Sequence, residues 1–99
     1  MNKFDLLTFT KMKHQDGVQA IAEFPNGFGA SIIKSDFNHG GKSGLFELAV
    51  LDNDIGNINS TTDITDDVIG WQDEDDIDRV LTAISKLLPD GTLPKGVTI

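Results

Sequence analysis

Val18-Gln19-Ala20-Ile21-Ala22-Glu23-Phe24-Pro25-Asn26-Gly27-Phe28-Gly29-Ala30-Ser31-Ile32-Ile33 places two apolar-rich runs on either side of Pro25-Asn26-Gly27. Asn-Gly supplies the two positive-φ positions of a type I′ turn, so the stretch reads as an antiparallel hairpin. With Pro25 and Phe28 closing the turn, Ile21 stands opposite Ile32. Ala20, Ala22 and Phe24 then share the other face with Gly29, Ser31 and Ile33. Residues this small leave room for a helix to lie close against the sheet.

Outward from the hairpin, Leu45 to Leu51 is a nearly continuous apolar run, short enough for a strand and bounded by turn residues, and it reads as a central strand. Phe4 to Phe9 crowds apolar residues into both phases of a period-2 pattern and reads as a first strand. The polar, glycine-rich segment 35–44 reads as an ordered loop, and Ile58 to Ile64 reads as a polar edge strand. The helix begins after Trp71. Asp73 is its N-cap, Asp76 sits at N3, and Glu74 and Asp75 complement the positive end of the dipole. Ile77, Val80, Leu81, Ile84, Leu87 and Leu88 recur at helical spacing before Pro89-Asp90-Gly91 ends the element. Residues 92–99 are left as a loose tail or a short extra strand. The fold expected is a single α+β domain over 1–99, with an antiparallel sheet of four to five strands and one C-terminal amphipathic helix, Asp73 to Leu88, packed on one face.

Composition narrows the function classes. With 38% hydrophobic residues, six Phe and one Trp, 99 residues suffice for one core. The chain has no cysteine, which excludes disulfides, thiolate zinc sites and cysteine nucleophiles and fits a reducing compartment. No stretch reads as a signal peptide or membrane span. The net charge of −8 is concentrated: residues 43–78 carry Glu47, Asp52, Asp54, Asp63, Asp66, Asp67, Asp73, Glu74, Asp75, Asp76 and Asp78, and no Lys or Arg. Such a field repels nucleic acid and attracts basic surfaces.

Apparent motifs weaken on inspection. Gly41-Lys42-Ser43 suggests a phosphate loop, but that loop needs a glycine where Asp36 stands and a helix where a strand follows. Asp52-Asn53-Asp54-Ile55-Gly56-Asn57 imitates a calcium loop, with Gly56 where an oxygen ligand is wanted and Asn57 where glycine makes the bend. His14 and His39 lack a second ligand at helical spacing. No catalytic residue, cofactor or metal site is therefore expected. Capping needs only two or three acids. Asp66, Asp67, Asp75 and Asp78 are surplus to it and are candidate contacts for a basic partner. Trp71 is expected to pack across the start of the helix against Ile77 or the sheet edge; its alternative role is an exposed aromatic anchor within that interface.

Three segments, Phe24 to Ile33, Gly40 to Leu51 and Ile64 to Gly70 leading into the capped helix, together resemble a family of small uncharacterised proteins of tailed bacteriophages. Relatives have an aromatic, a leucine and a threonine cap where this chain has Trp71-Gln72-Asp73, which preserves a capping side chain. The resemblance implies an origin and no activity. The expected function is thus that of a non-enzymatic phage accessory protein in the cytoplasm of the host, binding a basic host protein through its acidic surface. It is not expected to bind nucleic acid or membrane directly. One alternative is a nucleic-acid mimic that blocks a host nuclease or defence complex, which needs carboxylates at phosphate-like spacing. Another is a small enzyme using loop 35–44, which needs a cleft holding His39 and Lys42.

Overall fold

A computed structural model describes residues 3–13, 16–35, 44–52 and 56–99. Five strands, β1 (Thr10–Lys11), β2 (Val18–Glu23), β3 (Phe28–Lys34), β4 (Phe46–Asp52) and β5 (Ile69–Gln72), form one antiparallel meander in the order β1-β2-β3-β4-β5. Among the described residues one α-helix, α1 (Glu74–Ile84), lies on one face, giving the expected α+β architecture.

The hairpin is present with its register shifted by one residue. Ala20 pairs with Ile32, Ile21 with Ser31 and Ala22 with Ala30. The loop contains three residues rather than two. Gly27 N–H donates to the Phe24 carbonyl (3.3 Å), Phe24 N–H donates to the Phe28 carbonyl (2.9 Å), and Gly27 alone of the loop takes positive φ, at 89°. This is a type I turn closed by a left-handed glycine, the usual three-residue hairpin. Because side chains alternate faces, the one-residue change sends Phe28, Ala30 and Ile32 to the helix side with Ala20 and Ala22, and leaves Ile21 exposed on the other.

The core lies between that face and α1. Ile32, Leu48 and Val50 from the sheet and Ile77, Val80, Leu81 and Ile84 from the helix are almost wholly buried, each contributing about 1.5–3 kcal/mol of transfer free energy. The helical stripe is as expected as far as Leu87. Leu88 is exposed because α-helical bonding stops near Ser85, and the tighter bonds from Lys86 N–H to Ala83 and Leu87 N–H to Ile84 turn the chain away.

Two strand assignments are corrected. Phe4–Leu6 is a 3₁₀ turn, not part of a strand. Phe4 instead meets Phe46 edge-on and Phe9 meets it tilted, with ring centroids 5.5 Å from it in each case, and the Phe4 N–H donates to Asp78 Oδ1 at 3.1 Å. Residues 58–64 make a single bridge, Ile58 with Leu51, rather than a strand. Local side-chain bonds displace the ladder there: Asn59 Oδ1 accepts from Thr61 N–H and Thr62 Oγ1 from Ile64 N–H. The edge position beside β4 belongs to β5. After the helix, Leu93 N–H donates to Asp63 Oδ2 (2.8 Å) and no further strand forms in 92–99.

Candidate functional site

The acidic surface is built around the β5–α1 junction. Asp73 caps the helix as expected. Its Oδ1 accepts from Asp76 N–H (2.8 Å) while Asp76 Oδ2 accepts from Asp73 N–H (3.0 Å), a reciprocal capping box. Arg79 pairs with Asp76 from the next turn. The bond from the Asp73 backbone, followed by Arg79, holds the Asp76 carboxyl below the ordinary carboxylate range.

The other acids divide by role. Asp63 holds the chain after the helix, and Asp78, half-buried, holds the N-terminal 3₁₀ turn. Neither bond is visible from sequence spacing, since the partners are 30 and 74 residues away. Asp66, Asp67 and Asp75 are exposed and take no part in the capping box. Asp66 and Asp67 occupy the turn that leads into β5, and Asp75 lies in the first turn of α1, so the three flank β5 at its two ends.

Trp71 lies between them, and its expected packing is overturned. It is 63% exposed and adopts φ 59°, the only positive φ of a non-glycine residue among those described. Phe46 pairs with Gln72 and Leu48 with Ile69, so Gly70 and Trp71 together stand opposite Glu47 in a β-bulge. The bulge redirects the indole. Ile69 takes the place against the core that the tryptophan was expected to fill. A bulky residue in the left-handed region is strained by about 1–2 kcal/mol, and the indole is left mostly in solvent.

Two shallow grooves lie elsewhere. One, of about 350 Å³, opens on the sheet face away from the helix, with Ile33, Ala49 and Leu51 as floor and Glu47 as the one charged residue lining it among those described. The other, of about 460 Å³, runs between β2, the 3₁₀ turn and α1. The described residues contain no group of three or more His, Cys, Asp or Glu able to hold a metal ion. Loop residues 36–43, with His39 and Lys42, lie outside the described residues, as do His14 and residues 53–55 of the calcium-like turn. Among the described residues, no helix is long and apolar enough to cross a membrane. No family model, curated protein or solved structure matches the chain.

Proposed function

We infer that the protein is a non-enzymatic binding module that docks a basic macromolecule, a host protein if the chain is of phage origin, through the surface formed by Asp66, Asp67, Trp71 and Asp75. The observation that carries this reading is Trp71, held in solvent by a strained bulge in the middle of the acidic stretch. Strain of this kind persists where the surrounding fold enforces it, and it concentrates at functional positions. An exposed indole on a strand flanked at both ends by exposed carboxylates has the composition of an interface anchor with a charged rim: the indole supplies binding energy and the acids steer encounter. Asp78, bound to the Phe4 N–H, serves the fold instead.

The test is the capture of partners from bacterial lysate over a salt series, followed by association kinetics with each partner recovered. Asp66, Asp67 and Asp75 changed together to Asn should slow association and flatten its salt dependence, while Trp71→Ala should mainly speed dissociation. Recovery of the same partners with unchanged rates by both variants would leave the surface merely solvated.

A further inference from the structure

The outer edge of β2 is open beside an apolar groove. Phe24 N–H donates to the Phe28 carbonyl, so even-numbered residues of β2 direct their backbone groups toward β3 and odd-numbered ones direct theirs outward. β1 meets this outer edge only at Val18 and Gln19. The outward N–H and C=O groups of Ile21 and Glu23 lie past the end of β1, with no backbone partner among the described residues. Natural sheets seldom leave such an edge uncovered next to apolar surface. Here Leu6 is 68% exposed and Ile21 52% exposed beside it. The groove of about 460 Å³ lies along the same edge, with Leu6, Leu7, Ala22, Phe24 and Leu81 among its lining residues.

We propose that β2 extends its sheet by accepting an extended segment of a partner protein, apolar at the position facing the groove and basic opposite Glu23. A strand added along Ile21–Glu23 takes up the free backbone groups, and the residue it places across from Ala22 points to the helix side, into the groove. Charge selects the partner. Glu23 is exposed on the edge itself, and a basic residue across from an acid stabilises an antiparallel pair. The same charge disfavours a second copy of this chain as the occupant, since each copy carries −8. This edge is separate from the Trp71 surface and stands or falls independently of it.

The probe is a synthetic eight-residue peptide alternating lysine and valine with one central leucine, titrated into the isotope-labelled full chain and followed by amide NMR and hydrogen exchange. Binding should shift the amides of residues 21–24 and slow exchange at Ile21 and Glu23. Methylating the peptide's alternate backbone nitrogens, which leaves the protein untouched, should weaken binding by about tenfold or more, and so should Leu6→Asp. Ile21→Pro, which removes an outward N–H where an edge strand tolerates proline, should do the same. The proposal is overturned by absence of binding at about 1 mM peptide, by indifference to N-methylation, or by shifts confined to residues 66–75. A dimer of the free chain dissolved by Ile21→Pro would also overturn it, by making a second copy the occupant.

Discussion

Asn26 joins the two halves of the fold, and removing its side chain measures the strength of that joint. Its Nδ2 donates to the Ile84 carbonyl (2.8 Å) and the Leu87 carbonyl (3.1 Å), while its Oδ1 accepts from Phe28 N–H (3.2 Å). The last carbonyls of a helix have no partner within it. The hairpin loop thus caps the C-terminus of α1 from 58 and 61 residues away. At about 0.5–1.5 kcal/mol net per bond, with water entering the space left beside the carbonyls of the buried Ile84 and Leu87, Asn26→Ala should destabilise by about 2–3 kcal/mol. That corresponds to a fall in Tm on the order of 10–20 °C for a domain of this size. Asn26→Asp is the sharper variant. It preserves the acceptor for Phe28 and suits a turn, but it loses the donor and sets a negative charge against the negative end of the helix. Urea denaturation and thermal melts should rank Asn26 above Ala, and Asp no better than Ala. An Asp variant as stable as the parent would refute the capping role and reduce Asn26 to a turn former.

Ile84→Ala and Leu81→Ala empty fully buried positions on α1 and should each cost about 2–5 kcal/mol in urea denaturation; values near zero would remove the helix stripe from the core. Gly17 has φ 115°, and an added Cβ would meet the Lys34 carbonyl oxygen at 2.5 Å, so Gly17→Ala should lose roughly 2 kcal/mol or more, read from the same melts. Trp71→Gly relieves the left-handed strain, and its melting temperature should equal or exceed that of the parent, although β5 loses its largest side chain. Asp76 is held below its ordinary pKa by the Asp73 N–H and Arg79, and Asp90 by the Thr92 hydroxyl and N–H. A lowered folded-state pKa contributes stability that is fully present above the unfolded value of about 4 and is lost as pH falls through the folded one. Tm should therefore decline on acidification below about pH 4, and Asp76→Asn should make that decline shallower.

Local signals carried much of the fold. The apolar run of β4 and the stripe and capping box of α1 need only near neighbours, and both are legible. The hairpin was legible in place but not in register. Pro25 at the first central position and Gly27 at the last position of Phe24-Pro25-Asn26-Gly27 suit a type I turn, and this signal outweighs Asn-Gly read alone. What sequence could not supply is long-range. Phe4 and Phe9 leave the strand pattern because Phe46 and Asp78 receive them. Ile69–Gln72 is too short, and too interrupted by Gly70, to show a period. The candidate surface was half legible for the same reason. The exposure of Asp66, Asp67 and Asp75 follows from their charge, whereas the outward turn of Trp71 depends on a bulge that exists only once β5 pairs with β4.

Trp71 is the single tryptophan of the chain, so its fluorescence reports on the surface without labelling. The most direct measurement is collisional quenching of that emission by acrylamide, in the free protein and again with a partner bound. An exposed Trp71 anchor should give water-like emission that is readily quenched in the free chain, then a blue shift and protection on binding. Blue-shifted emission already shielded in the free protein would place the indole in the core, and an exposed indole unaffected by a bound partner would move the contact surface elsewhere; either result rules out Trp71 as the anchor.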